Sequence, residues 1–248
     1  EYYNTLSNKE ELYLLDICCG TGGEIIGAVD ALCTRLQNLR RIYIESYDAN
    51  VDAVRFLFHI TDRLNENVSA DVIIRPDYLH LENEQDFADL MSIANRTYDL
   101  ILCFKAINEL VQNQLLGEPY FEVTQGLLTK LSRDGLFILA DVTTRNNNAG
   151  WYPQIMNNQI NCLLRQSQDF STIVPYPCFI YEDRCAGCYM QDIFFVTHRY
   201  KEKDKSKLAY RIIGRNDFVK SLHPKNNMQY QCRYNNINAD KKIPYENF

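Results

Sequence analysis

The chain has 248 residues, of which 46% are hydrophobic, so it can bury a substantial core as one α/β domain or two small ones. No apolar run approaches the roughly 20 residues that a membrane span needs, which excludes a transmembrane helix and predicts a soluble protein. The nine cysteines are an odd number, and several lie in apolar segments, which excludes a fully disulfide-paired secreted scaffold. We therefore expect a reducing compartment and a cytoplasmic location.

The net charge of −6 is unevenly distributed along the sequence. Residues 1–198 hold 14 basic and 27 acidic side chains, whereas residues 199–248 hold 12 basic and 5 acidic ones. This asymmetry predicts an acidic body and a basic C-terminal part that binds an anionic partner such as RNA or DNA. A solvated, lysine-rich surface with no partner is an equally good interpretation of the same charges.

Five short apolar runs alternate with helix-like segments in the first part of the chain. The strands are predicted at 12–17, 42–47, 72–75, 98–104 and 135–142. Apolar spacings of three and four predict helices at 25–36, 51–64 and 87–94, and another at 110–131 with a break at Gly117-Glu118-Pro119. Because strands alternate with helices, the sheet should be parallel and covered on both faces.

The second part of the chain divides into three segments. Residues 145–191 are predicted to be an insertion, with a helix at 152–166 and a cysteine-rich stretch. Residues 192–215 are predicted to close the core as a β-hairpin, with strands at 193–200 and 208–213 joined by a charged turn at 201–207. Residues 216–248 form a basic tail without clear periodicity, which could dock on the insertion.

The most informative motif follows the first strand: Asp16-Ile17-Cys18-Cys19-Gly20-Thr21-Gly22. Glycines let the backbone turn tightly and approach a ligand, and the helix that follows points its positive end at the same place. The motif resembles the D-x-G-x-G-x-G turn of class I S-adenosylmethionine-dependent methyltransferases, with Cys18 in place of the first glycine. A nicotinamide-binding turn is a poorer match, because the third glycine of G-x-G-x-x-G is missing.

The resemblance implies a fold, a cofactor and a set of site residues. The fold would be a doubly wound, mainly parallel seven-stranded sheet with an antiparallel last strand in residues 1–144 and 192–215, interrupted by the cysteine-rich insertion between strands five and six. An acidic residue after strand two would bind the ribose, and a polar residue after strand three would lie beside the adenine. The segment after strand four would lie next to the methyl group. The implied cofactor-binding residues are Asp16, Cys18, Gly20, Gly22, Asp48, Ala49, Asp77, Tyr78, Phe104 and Lys105.

Asn108 and Glu109, after the fourth strand, are candidate catalytic residues. They could clamp the substrate and remove a proton from it. They could equally be the capped start of the next helix, since Asn is a favoured N-cap and Glu suits a first turn. Both interpretations remain open at this point.

Three cysteines, Cys178, Cys185 and Cys188, have the spacing C-x6-C-x2-C. Two thiolates on a glycine-containing turn make half of a tetrahedral metal site, and a third can join from upstream. Cys232 is the first choice as fourth ligand, with His198 and His223 as alternatives. Zinc is the default metal and an iron–sulfur cluster the less favoured one, while ordinary thiols or a redox pair remain alternatives.

Three functional hypotheses follow. The first is a methyltransferase whose acceptor is a nucleic acid, with RNA favoured by the basic C-terminal part. The second is a methyltransferase acting on a protein or small molecule, favoured by the acidic body and by the absence of the Asn/Asp-Pro-Pro-Tyr/Phe tetrapeptide of nucleic-acid amine methyltransferases. The third is a binding module that has kept the cofactor fold and lost catalysis.

Overall fold

The computed structural model describes residues 2–81, 83–146, 150–174 and 191–222. The strands are β1 (Glu11–Ile17), β2 (Arg41–Asp48), β3 (Asp71–Tyr78), β4 (Tyr98–Phe104), β5 (Leu131–Val142), β6 (Arg145–Asn146), β7 (Gly150–Trp151), β8 (Phe170–Val174), β9 (Gln191–His198) and β10 (Lys201–Arg215). The helices are α1 (Tyr2–Leu6), α2 (Gly23–Arg35), α3 (Val51–Asn65), α4 (Glu84–Ile93), α5 (Ile107–Asn113), α6 (Pro119–Thr129), α7 (Tyr152–Ser167) and α8 (Asn216–Leu222). The alternation predicted from the sequence is therefore confirmed.

The helix α3 shows how local sequence sets these boundaries. The Asn50 side chain accepts hydrogen bonds from the backbone N–H groups of Asp52 and Ala53, which satisfies donors that the first turn leaves free. Val54, Leu57 and Leu64 then recur at helical spacing and are buried against the sheet. The helix therefore begins where the cap is and faces inward where the apolar residues are.

The main sheet has the strand order β3-β2-β1-β4-β5-β10-β8, and β9 pairs with β10. The strands β1 to β5 pair in parallel, whereas β10 is antiparallel to β5 and to β8. The predicted doubly wound sheet with an antiparallel last strand is confirmed. The sheet contains eight strands instead of seven, because β9 is added at its edge.

The position of the sixth strand differs from the sequence prediction. The strand beyond β10 is β8, Phe170–Val174, whereas the prediction placed strand six at 193–200. The cysteine-rich stretch lies in sequence between β8 and β9, and its role as an insertion into the core stays a prediction. Residues 175–190, which contain its three cysteines, are outside the described residues.

The predicted hairpin is present, but its turn is shorter than expected. The turn is at residues 199–200, and the charged stretch 201–207 belongs to β10. Leu208 pairs with Val142 at the carboxyl end of β5, so residues 201–207 continue past that edge of the parallel strands. We call β9 together with residues 201–207 the hairpin arm.

Apolar side chains fill both sides of the sheet. One buried cluster lies under α2 and α3, and it includes Leu12, Leu14 and Ile42. The other lies under α4 to α7, and it includes Leu15, Tyr120 and Met156. No helix among the described residues is both long enough and apolar enough to cross a bilayer.

The glycine turn generates a stability prediction. Gly22 has φ +80, and a Cβ added there would lie 2.5 Å from Leu57 Cδ1, which is fully buried. We expect Gly22→Ala to lower the free energy of unfolding by about 2–4 kcal/mol, because it combines left-handed strain with overpacking. Gly23→Ala is the matched control, since no atom lies within 4 Å of its added Cβ. Equal denaturant midpoints for the two variants would contradict the prediction.

Candidate functional site

The carboxyl ends of β1, β2, β4 and β5 meet at one edge of the sheet, where ligands of open α/β folds bind. Most of the predicted cofactor-binding residues lie there. The glycine turn joins β1 to α2, and its chain reverses through left-handed residues: Cys18 has φ 58, Gly20 φ 49 and Gly22 φ 80. Such angles are the reason for glycine at these positions.

Asp48, at the end of β2, braces this turn. One carboxylate oxygen accepts the Gly20 N–H at 2.7 Å, and the other accepts the Asn50 N–H at 2.8 Å. The backbone adds a second link, in which the Cys19 N–H donates to the carbonyl of Tyr47 at 3.1 Å. The half-buried Asp48 thus lies directly beside the turn, where the family resemblance places the ribose contact.

Cys18 takes the position of the first glycine of the motif and adopts the left-handed conformation that glycine would adopt. Burial, followed by the nearby charge of Asp48, raises the pKa of its thiol to about 12. The thiol therefore stays protonated, which makes it a poor nucleophile.

Asp16, at the end of β1, is completely buried, and neither of its carboxylate oxygens has a hydrogen-bond partner among the described residues. Burial raises its pKa well above the usual range, and the neighbouring carboxyl of Glu24 raises it further. Burial also raises the pKa of Glu24, which lies in the first turn of α2. Both carboxyls therefore keep their protons to a higher pH than exposed carboxyls do.

Charge at this edge is predominantly negative. The carboxyls of Asp48 and Asp16 both raise the pKa of Cys18, and those of Glu109 and Asp141 add to the effect. One cation, Lys105, is close enough to lower the pKa of Glu24. A pocket with this excess of carboxyls favours a ligand that carries positive charge.

The other predicted cofactor contacts lie on strand ends of the same edge. Asp77 and Tyr78 end β3, both are exposed, and the Tyr78 N–H donates to Asp77 Oδ1 at 2.8 Å. Ala49 is exposed after β2, and Phe104 is half-buried at the end of β4. Lys105 follows with φ 56, and its N–H donates to the Ala140 carbonyl at 2.7 Å.

Asn108 and Glu109 lie in the first turn of α5. The helix begins at Ile107 with Ala106 as its N-cap, so Asn108 does not cap it. The backbone N–H of Asn108 donates to Asp141 Oδ2 at 2.8 Å; its side-chain amide, with the nitrogen turned inward, donates to Asp141 Oδ1 at 2.6 Å and the Lys105 carbonyl at 3.1 Å. Glu109 is exposed at the same edge. Their catalytic role stays a prediction.

Asp141 and Tyr120 were not predicted from the sequence. Asp141 is fully buried at the end of β5 and also accepts the Tyr120 hydroxyl at 2.8 Å. Burial raises the pKa of Asp141 to about 6, although these hydrogen bonds oppose the effect. An acidic residue at a strand end, as in Asp16 and Asp48, was the signal that could have identified it.

The predicted metal ligands Cys178, Cys185, Cys188 and Cys232 lie outside the described residues, as does the alternative ligand His223. Among the residues that the structure describes, no group of three or more His, Cys, Asp or Glu side chains is placed to hold a metal ion. The cysteines in the described ranges, Cys18, Cys19, Cys33, Cys103 and Cys162, are free thiols. A zinc site or iron–sulfur cluster therefore stays a prediction.

No protein-family model matches the chain, and no curated protein matches its sequence. Solved structures match it in fold. A SAM-dependent methyltransferase from Methanosarcina mazei is 11% identical over 84% of this chain and 95% of its own, with a TM-score of 0.43. The magnesium protoporphyrin IX methyltransferase of Synechocystis, solved with bound SAM, is 14% identical over 85% and 74%, with a TM-score of 0.44. An O-methyltransferase from Bacillus cereus in complex with SAH is 11% identical over 85% and 78%, also at 0.44.

All three of these solved structures are methyltransferases. In this chain itself, an antiparallel strand is inserted beside β5 and a glycine turn with flanking carboxylates follows β1. The sheet and the turn are those that the resemblance to class I methyltransferases implied. The predicted resemblance is therefore confirmed at the level of the fold.

The buried Asp16–Glu24 pair predicts proton release. A bound cation favours ionised carboxyls, so S-adenosylmethionine, which carries a sulfonium, should release protons on binding and bind more tightly as the pH rises. S-adenosylhomocysteine lacks the sulfonium charge and is the matched control. Calorimetry in two buffers of different ionisation enthalpy measures the difference, and equal proton release for both ligands would contradict it.

Asp16→Asn should separate the stability of the site from its function. Burial raises the pKa of Asp16, so ionising this carboxyl above that pKa destabilises the folded state. Without ligand, the variant should therefore be at least as stable as wild type at pH 8. Its affinity for S-adenosylmethionine should fall by at least about tenfold, because a charge-assisted contact is lost. Thermal unfolding tests the expected stability, and calorimetry tests the expected loss of affinity. A destabilised variant with unchanged affinity would refute both expectations.

Proposed function

We propose that this chain is an S-adenosylmethionine-dependent methyltransferase. The observation that carries the proposal is the buried Asp16 carboxyl, which has no described donor and lies against Glu24 beside a left-handed glycine turn. Burying such a group without a partner is costly, so it indicates a ligand that supplies positive charge. The cofactor's sulfonium has that charge.

Different residues at the sheet edge would bind different parts of the cofactor. Asp48 holds the turn through Gly20, and each of its oxygens keeps lone pairs with which it could accept a ribose hydroxyl. Asp77 and Tyr78 offer an exposed edge for the adenine. When bound, the cofactor supplies an activated methyl group, which passes from its sulfur to a nucleophile of the acceptor. The chain's task is then to hold the reacting atoms in line and exclude water.

Glu109 is the proposed general base. It is exposed in the first turn of α5, beside the carboxyl end of β4, so an acceptor can reach it. Asn108 is a positioning residue, because its backbone and its amide both bind Asp141 and fix the start of the helix. The proton that the acceptor loses on methylation goes to Glu109.

The proposed acceptor is a nucleic acid, with RNA favoured. Residues 199–248 carry 12 basic and 5 acidic side chains, and five of the basic ones lie between Arg199 and Lys207 in or next to the hairpin arm. Because the arm extends past the carboxyl edge of β5, this charge lies on the ligand side of the sheet. Phosphates are the natural partners of such a surface.

An apolar small-molecule acceptor is the second candidate, and one observation favours it. A groove of about 910 Å³ begins at Glu24 and Lys105 and continues along β4 and β5 past Leu102 and Ile138. Its volume is in the range of small-molecule sites. Its apolar walls would suit a hydrophobic acceptor better than a polyanion.

Transfer of a radiolabelled methyl group from S-adenosylmethionine tests the proposal. Unmodified total RNA should become labelled, and ribonuclease should release the label. Label in the lipid-soluble small-molecule fraction alone would favour the second candidate. Failure of the purified chain to bind either S-adenosylmethionine or S-adenosylhomocysteine would refute methyl transfer altogether.

Glu109→Gln tests the general base. The variant should lower the transfer rate by about 10²–10⁴-fold, because proton removal is lost, and should leave the affinity for S-adenosylhomocysteine unchanged. Glu118→Gln is the matched control, since Glu118 is also exposed but begins α6. An unchanged pH–rate profile in Glu109→Gln would show that the base is another group or that none is used.

A further inference from the structure

The hairpin arm has two different faces. Phe195 pairs with Lys205, and Ile193 pairs with Lys207, so these four side chains project from one face, which we call the outer face. Phe194 pairs with Ser206 and projects from the other face, where it borders the apolar groove. The outer face therefore alternates large apolar side chains with lysines.

The outer face lies on the side of the sheet that carries α5. The next residue in the same alternation along β10 is Ala209, which is fully buried in the cluster formed with α4 to α7. Glu109 lies on that side, in the first turn of α5. An acceptor on the outer face would thus approach Glu109 without crossing the sheet.

Two large apolar side chains on this face are exposed to solvent. Phe195 is 70% exposed and Ile193 39% exposed, although both side chains are large and apolar. Lys205 lies near Lys207, and their repulsion adds to the burial that lowers the pKa of Lys207. Lysines held together beside an exposed aromatic ring match the composition of surfaces on which bases stack and phosphates bind.

The distances suit an RNA strand that runs from the hairpin arm to the proposed active site at the end of β4. Lys205 lies three residues before Leu208, the partner of Val142, so it is about 10 Å past the sheet edge. The strand β10 is two positions from β4, which adds about 10 Å sideways. Phe195 lies on β9, one position further out than β10, so a nucleotide stacked on it would lie about 17 Å from the end of β4, a few nucleotides from the methylated one.

We propose that the outer face of the hairpin arm, through Ile193, Phe195, Lys205 and Lys207, binds single-stranded RNA next to the methylated nucleotide. The inference rests on the nucleic-acid acceptor of the proposed function. Phe195 stacks on a base, and Lys205 and Lys207 contact the phosphates on either side. The RNA must be single-stranded, because only an unstacked base can place its face against the ring of Phe195.

The test uses a fluorescent 12-nucleotide single-stranded RNA and anisotropy on the whole chain. Phe195→Ala should weaken binding about tenfold, since one stacked base is lost. Lys205→Gln should reduce the slope of log K against log[salt] by about 0.7, the share of one phosphate on a single strand. The affinity for S-adenosylhomocysteine should stay unchanged in both variants.

Two control variants make the result specific. Phe194→Ala removes an equal aromatic ring from the opposite face, and Lys220→Gln removes an equal exposed charge from α8. Neither should change RNA affinity more than about twofold. If Phe195→Ala and Phe194→Ala bind RNA equally well, the outer-face assignment is overturned, while the methyltransferase proposal is still decided separately by cofactor binding.

Discussion

The structure depends on one constraint, which is that parallel strands deliver their carboxyl ends to the same edge. Here those ends carry Asp16, Asp48 and Asp141, so folding gathers like charges in a place with little water. The protein tolerates this in two ways. Asp48 is satisfied by backbone N–H groups, whereas burial raises the pKa of Asp16 and Asp141 so that protons reduce their charge. Asp16, which has no hydrogen-bond partner among the described residues, is the carboxyl that a cation would satisfy best.

Two of the four described non-glycine residues with left-handed backbone lie at the same edge; the other two, Gln114 and Gln168, are helix C-caps. Cys18 and Lys105, both non-glycine residues, have left-handed conformations there. Each strained segment is tied to the next strand by a backbone hydrogen bond, from the Cys19 N–H to Tyr47 and from the Lys105 N–H to Ala140. Strain of this kind persists only where the surroundings fix it, and it is typical of ligand sites. The two loops are thus fixed by the strands beside them.

Elements with strong periodicity were predictable from the sequence, and those defined by tertiary pairing were not. The strands β1 to β5 are apolar runs that alternate with helices, and this alternation predicts a parallel sheet. Phe170–Val174 is only five residues long and half-buried, so no pattern marks it as the sixth strand. Lys201–Lys207 looked like a turn because it is charged, yet cross-strand pairing makes it a strand. Asp141 was missed because its importance comes from contacts with Asn108 and Tyr120, which are distant in sequence.

The two proposals are coupled by electrostatics. A polyanionic acceptor is attracted by Lys205 and Lys207 on the arm but repelled by the carboxyls around Asp16 and Glu109. A bound cofactor cation lowers that repulsion, and an acceptor phosphate near the pocket in turn favours the cation. By linkage each ligand strengthens the binding of the other by the same factor. The separation of basic arm and acidic pocket therefore favours assembly of the complex with the charged cofactor, and it favours release once the methyl group and the sulfonium charge are gone.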